Sequence, residues 1–344
     1  VSESATSNAR EPPAGIARAP VCLIVNPAAG GGRAGRAANA VLAALRARGL
    51  TARREDTRDL EHAGELATAA ARAGEAAVTL GGDGLAGAVA DALRHVPGAV
   101  LGVLPGGRGN DLARVLGIPA DPEAACAVIA QGLARPMDVG EVDGRAFVGI
   151  ASAGFDSDAN RIANEAPARL GNLVYAYGAL RALASWRPVD FAIELDPPGE
   201  RVEFRGYTIA AANSRDYGGG MQIAPAARLD DGLLDVVLIE AVSRPRFLAN
   251  LPKVFKGTHI ELPQVRVLRA AEVAISASRP FTMYADGDPI GELPVRVRAL
   301  PAALRVLVPA TAAGASAFLS PARAEPPATW PVDGASTAER AEDR

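Results

Sequence analysis

The stretch AAVTL at 76–80 runs without a break into Gly81-Gly82-Asp83-Gly84, and VLGVLP at 100–105 runs into Gly106-Gly107-Arg108-Gly109-Asn110-Asp111. Each is a short apolar run that stops at glycines, and the first is followed by a helical pattern over Leu85–Arg94. A buried strand feeding a glycine turn and then a helix is the repeating element of a parallel βαβ sheet. Working outward, VCLIVN (21–26) reads as another such strand, with a glycine loop and an amphipathic run over Arg33–Arg48 behind it. A further strand lies near 51–55 and a helix over Leu60–Arg72. This alternation predicts an N-terminal Rossmann-like α/β domain whose ligand sits at the carboxyl ends of the strands.

After Met137 the pattern changes. MDVGEV, the dipeptide Asp143-Gly144 and RAFVGIAS predict a tight hairpin, and a long helical stretch follows from Asp156 to Trp186. Strand-like runs then recur at 191–195, 202–213, 233–240, 265–269, 272–276, 295–299 and 304–308. The fold class is therefore α/β plus mainly β, with a C-terminal antiparallel β-sandwich domain carrying helices. The division expected is a disordered tail over 1–19, a nucleotide-binding domain over 20–136, a β-rich domain over 137–310 and a second disordered tail over 311–344.

Composition narrows the function classes. The formal net charge of −3 gives no sign of a nucleic-acid partner. Of the 36 basic residues only Lys253 and Lys256 are lysines, and neither has the Gly-Lys-Ser/Thr context of a Walker A loop, which excludes P-loop chemistry. Cys22 and Cys126 lie in apolar runs and read as buried free thiols of a reducing compartment. No signal peptide and no spanning segment is read, so the expected location is cytoplasmic.

The glycines admit more than one chemistry. Gly30, Gly32 and Gly35 satisfy G-x-G-x-x-G, and Glu55-Asp56 lies near where a ribose-binding acid would fall, so a dinucleotide site and a plain strand–helix turn are both open. Three such loops at successive strand ends look built for a triphosphate, because glycines expose backbone N–H groups at helix N-termini. The aspartates fit that site once magnesium accompanies the phosphates. The plainer readings are a turn-stabilising role for Asp83 and a helix cap for Asp111.

Asn26-Pro27 with Gly30-Gly31, then Gly81–Gly84, then PGGRGNDLAR (105–114) is similar to the NPxxG, GGDGT and PxGTxNDxAR series of the diacylglycerol kinase catalytic domain. It resembles most the YegS/BmrU-type bacterial lipid kinases. The resemblance implies an ATP- and Mg2+-dependent phosphotransferase acting on the hydroxyl of a diacylglycerol-like lipid. It implies nucleotide contacts at Asn26, Pro27, Gly30, Gly31, Thr57, Gly81, Gly82, Asp83, Gly84, Gly107, Arg108 and Asn110, with Asp83 and Asp111 organising the site. It further implies a magnesium ion held by Asp231 and the backbone oxygens of Arg228 and Leu233, in a segment that otherwise reads as a β-turn. Asp286-Gly287-Asp288 resembles the family's DGE segment, with Asp288 as proton acceptor and Asp286 orienting it or touching metal; the plainer reading is a hairpin turn. Two carboxylates one residue apart would share a face if the chain is extended.

Departures from the pattern are Leu85 and Arg108 where the family has threonines, and Asp288 where it has Glu. Arg108 would either bind phosphate or block the pocket. Thr57 would contact nucleotide or cap the helix beginning at Leu60. Leu180–Arg187 and Phe247–Lys256 mix apolar anchors with cations, as core helices with solvated edges and interfacial segments both do. The partners expected are a membrane lipid and a transient peripheral membrane contact, with a homodimer as an open expectation. Two alternatives stand beside the lipid kinase: a related kinase for NAD or a sphingoid base, and a catalytically weak nucleotide- or lipid-binding protein.

Overall fold

The computed structural model describes residues 19–165, 173–196, 199–310 and 316–318. Four strands, β1 (Val21–Val25), β2 (Ala52–Asp56), β3 (Ala76–Gly81) and β4 (Val100–Pro105), lie parallel in the order β2-β1-β3-β4. β1 and β3 are buried along their whole length, as continuous apolar runs covered on both faces must be. The helices between them are α1 (Ala29–Ala47), α2 (Leu60–Arg72) and α3 (Asp83–Leu93). Gly30, Gly31 and Gly32 have φ of 60°, 68° and 83°, so regular helix in α1 starts at about Arg33. The chain leaves β1 toward β2 on one side and reaches β3 on the other, so the order reverses between β1 and β3. Such a switch point opens a crevice at the carboxyl edge of the sheet.

Two short helices, α4 (Asp111–Val115) and α5 (Pro122–Gln131), lead into β5 (Ala134–Val142), which turns back at Asp143-Gly144 into β6 (Arg145–Phe147). Both turn residues have positive φ, 47° and 89°, as a two-residue hairpin requires. The rest of the chain is mainly antiparallel: β7 (Ile150–Gly154), β8 (Val189–Asp196), β9 (Glu200–Ala212), β10 (Leu234–Glu240), β11 (Val265–Ala270), β12 (Glu272–Ala277), β13 (Thr282–Ala285), β14 (Asp288–Glu292) and β15 (Val295–Leu307). Helices α6 (Phe155–Glu165), α7 (Leu173–Ser185) and α8 (Arg244–Val254) complete it. The helical stretch expected over 156–186 is two helices; what joins them lies outside the described residues.

The two halves share one continuous sheet. β15 pairs antiparallel with β12 and β5, then its end runs parallel to β4 at Arg305↔Val100 and Val306↔Leu101. A boundary at 136/137 therefore falls inside β5. Asp138, 3% exposed, pins this junction: its carboxylate accepts N–H bonds from Gly232 and Ala302, both 2.7 Å. Both thiols are buried and free, as expected.

The expected tail beginning at 311 needs correction at 316–318. Ala317 and Phe318 are buried, Ala317 O accepts the N–H of Leu229 at 2.9 Å, and Arg135 lies 4.1 Å over the Phe318 ring. A buried guanidinium beside an aromatic face gains a cation–π contact that an open loop lacks. The remainder of both expected tails lies outside the described residues. Phe318→Ala should lower unfolding free energy by about 3 kcal/mol, the cost of a buried phenyl cavity, as read by urea denaturation. A change below about 0.5 kcal/mol, the scale of a surface substitution, would mean that 316–318 adds nothing to the core.

Candidate active site

Three glycine loops meet above the carboxyl ends of β1, β3 and β4. Gly106 and Gly107 each donate a backbone N–H to Gly81 O, at 2.8 and 2.9 Å. A methyl group on Gly107 would lie 2.4 Å from Gly82 Cα, and one on Gly30 would lie 2.4 Å from Gly106 O. Only residues without a side chain allow backbones to approach so closely. Asn110, at φ 54°, accepts the Gly107 N–H through Oδ1 at 2.8 Å and donates back to Gly107 O through Nδ2 at 3.0 Å. Arg33, which the sequence reading passed over, ties the first loop to the third: it donates to Gly107 O at 2.9 Å and to Gly30 O at 3.2 Å.

The other expected nucleotide positions fall around these loops. Asn26 Oδ1 accepts the Ala28 N–H at 3.0 Å, Pro27 and Gly31 are exposed beside it, and Gly82 and Gly84 flank Asp83 at the start of α3. Thr57 is buried just after β2, its N–H on Val25 O at 2.8 Å. It does not cap α2: Asp59 does, accepting the His62 N–H at 2.8 Å. Arg108 is exposed on the third loop, and Leu85 is buried against Gly81. Gly35 lies within α1, and Glu55 and Asp56 are ion-paired with Arg53 and Arg54 at 2.6 and 2.7 Å. The dinucleotide reading thus loses its ribose acid.

The carboxylates converge on the same crevice. Asp83 and Asp111 are the first residues of α3 and α4, where a helix N-terminus favours negative charge. Asp111 is thus a helical residue, not the cap. Asp83 accepts the Leu112 N–H at 3.0 Å, and Asp111 accepts the Gly219 N–H at 2.9 Å and an ion pair from Arg114. A methyl group on Gly109 would lie 2.9 Å from Asp83 Oδ2 and 3.2 Å from Asp111 Oδ2, so both carboxylates border one small space. Burial, and then the Asp111 charge, push the Asp83 carboxyl above its ordinary range. A divalent cation between the two would relieve that repulsion, so this pair fits the metal that accompanies a triphosphate.

The β13–β14 hairpin brings the second pair over α3. Asp286 occupies the turn at φ 51°, so the extended geometry expected for 286–288 does not hold. Both carboxylates nevertheless face α3: methyl groups on Gly84 and Gly87 would lie 3.0 Å from Asp288 Oδ2 and 3.1 Å from Asp286 Oδ2. Asp286 accepts N–H bonds from Val148 and Gly149, at 2.8 and 2.9 Å, which hold its carboxylate in place. Burial, reinforced by the Asp83 charge, pushes its carboxyl up to about 7. Asp288 is exposed at the crevice mouth; partial burial raises its carboxyl and Arg145 opposes the rise.

Two further polar groups, absent from the sequence expectations, carry strongly shifted protonation near these carboxylates. Asp156, at the start of α6, accepts the Thr208 hydroxyl at 3.0 Å, and burial raises its carboxyl. Tyr217 is pushed well above the ordinary phenol by burial and then by the Asp156 and Asp111 charges, and it opens the turn whose Gly219 N–H bonds Asp111. The available signal was local: Gly154-Phe155-Asp156 repeats the strand–glycine–acid order of Gly81–Asp83.

The segment expected to hold magnesium is the loop before β10. Asp231 accepts the Leu233 N–H at 3.1 Å and is ion-paired with Arg269, whose guanidinium also stands 3.6 Å from Asp235. Both Asp231 oxygens thus have protein partners, and the guanidinium already supplies the positive charge. Asp111 is held in the same way, its two oxygens on Arg114 and on the Gly219 N–H, so partners on the carboxylate do not separate the two places; Arg228 and Leu233 lie on either side of Asp231 in the loop. No cluster of three metal-ligating side chains occurs among the described residues.

The coupling between the carboxylates is measurable. Asp83→Asn removes a negative neighbour from Asp286, so the Asp286 pKa should fall below about 7 in metal-free protein. A carboxyl 13C NMR titration reads it; an unmoved midpoint would show that the two charges do not interact.

Comparisons with known proteins identify the family. Residues 20–142 match the diacylglycerol kinase catalytic domain, and 149–308 match the YegS C-terminal NAD kinase beta sandwich-like domain. The diacylglycerol kinase of Mycobacterium tuberculosis is 36% identical over 301 residues, covering 84% of this chain and 95% of that protein. The "Probable lipid kinase YegS-like" of Pseudomonas aeruginosa is 35% identical over 234 residues, covering 67% and 75%. A solved diacylglycerol kinase structure from Bacillus anthracis superposes with a TM-score of 0.66 at 19% identity, covering 85% of this chain and 97% of that one, and so shares the fold. The chain belongs to the diacylglycerol kinase catalytic-domain family, in its two-domain YegS-like form.

Proposed function

We propose that this protein transfers the γ-phosphoryl group of ATP, with Mg2+, to the hydroxyl of a diacylglycerol-like lipid. The observation that carries the reading is the juxtaposition of the Asp286/Asp288 hairpin with the Asp83 helix start: an acceptor-side acid and a phosphate-side loop face one crevice. The glycine loops offer backbone N–H groups to the phosphates, and Arg33 holds two of those loops together. Asp83 and Asp111 would hold the metal, which supplies charge neutralisation on the phosphate oxygens when bound. The lipid oxygen bonds to the γ-phosphorus as the bridging β–γ bond breaks and ADP departs. The hydroxyl proton passes to the Asp288 carboxylate, while Asp286 keeps the hairpin in register. A weak base suffices, because a loose transition state needs positioning and charge neutralisation more than proton abstraction.

A diacylglycerol acceptor is favoured over NAD or a sphingoid base by the relatives' names, and the sandwich-like second domain alone would serve either. Leu85 is buried over Gly81, so the side chain that replaces the family threonine packs into the core beside the loop.

Incubation with γ-labelled ATP and separate samples of diacylglycerol, phosphatidylglycerol, ceramide and NAD should label diacylglycerol. Saturable ATP binding without any labelled lipid would overturn the reading. Asp288→Asn should lower kcat by about a hundredfold or more while the KM for ATP stays within about twofold. Full turnover by that variant would remove Asp288 as the base.

A further inference from the structure

We propose that helix α8 is the face by which this protein settles on an anionic lipid bilayer, an inference that deepens the lipid-acceptor reading above. α8 buries one side of itself: Phe247 stacks on Tyr207 at 4.1 Å and meets Phe155 edge-on at 4.9 Å, and Val254 is buried. The side turned away from that core is not polar. Leu248 is 44% exposed and Phe255, at the helix end, 54%. Leu248, Pro252 and Phe255 follow i, i+4, i+7 spacing and so share one stripe, which water does not explain.

Charge identifies the occupant. Arg244, Arg246, Lys253 and Lys256 lie on this segment, and no Asp or Glu occurs from 241 to 260. The surplus stands against a chain of net charge −3, and it contains the only two lysines in the sequence. Long cationic side chains beside exposed Leu and Phe match the depth profile of a membrane surface, with apolar groups below the headgroups and cations among them. An acidic polypeptide would complement the cations and leave the apolar stripe in water.

The face also connects to the crevice. Val254 O, at the end of α8, accepts the Gln222 N–H at 2.9 Å. Gln222 follows the Tyr217–Met221 turn, closed by two 2.9 Å backbone bonds, and within that turn Gly219 donates to Asp111. One loop therefore separates the docked helix from Asp111, a carboxylate of the proposed phosphate site.

Sedimentation of the full chain with phosphatidylcholine vesicles, with and without phosphatidylglycerol, tests this directly. The wild-type protein should pellet only with the anionic vesicles. Leu248→Ser/Phe255→Ser and Lys253→Glu/Lys256→Glu should each weaken that binding by roughly tenfold or more. Both variants change exposed residues, and unaltered circular dichroism and phosphorylation of a short-chain diacylglycerol in detergent micelles would show the fold and site intact. Wild-type binding that is absent, equal on neutral vesicles, or unchanged in either variant would overturn the proposal. Absence of micellar turnover with vesicle binding as expected would instead count against the kinase reading alone.

Discussion

The backbone contact between Gly81-Gly82 and Gly106-Gly107 is the constraint on which the rest of the site depends. Two N–H bonds onto Gly81 O hold the loops together, and there is no space at Gly107 for even a methyl group. The contact fixes where β3 and β4 end relative to one another, and so where α3 and α4 begin. Because those helices begin with Asp83 and Asp111, closing the loops also brings the two carboxylates to one border. Gly30 and Arg33 then draw the first loop onto the third. The place proposed for the phosphates is thus bordered by close-packed backbone and two acids.

Two acidic groupings in the molecule show opposite solutions to like-charge repulsion. At Asp231 and Asp235 a guanidinium from β11 stands between the carboxylates, although burial still holds Asp235 at about 6. Across the crevice, Asp83, Asp156 and Asp286 are all raised chiefly by burial. Arg114 engages Asp111, and Arg145 influences Asp288. In the first grouping a guanidinium meets the acids; in the second the Asp111 charge raises Asp83 and the Asp83 charge raises Asp286, and a metal-bound triphosphate would bring positive charge to them.

Much of the fold was legible because its signals are local. A helix over 60–72, strands at 21–25, 76–80 and 100–105, and the hairpin at Asp143-Gly144 follow from periodicity and turn chemistry. The details that periodicity could not reach are long-range. Thr57 looked like a helix cap until Asp59 took that place, a choice between neighbours of similar chemistry. The alignment of Asp286 and Asp288 comes from a left-handed turn bonded to Val148 and Gly149, about 137 residues away, rather than from an extended chain. Phe318 is ordered because Arg135 lies under it, which an Ala/Pro-rich composition does not reveal. Arg269 reaches Asp231 only through the pairing of β10 with β11.

Nucleotide binding by Gly107→Ala tests the central claim most directly. The added methyl must push the 106–109 loop off Gly82, which displaces one wall of the proposed nucleotide site while the sandwich keeps its own core. Calorimetric titration with Mg-ATP should show affinity reduced by about tenfold or more in a variant that still unfolds cooperatively, a loss of roughly 1.4 kcal/mol. Wild-type affinity in that variant would contradict the account, because the phosphates would then be held by something other than the glycine contact.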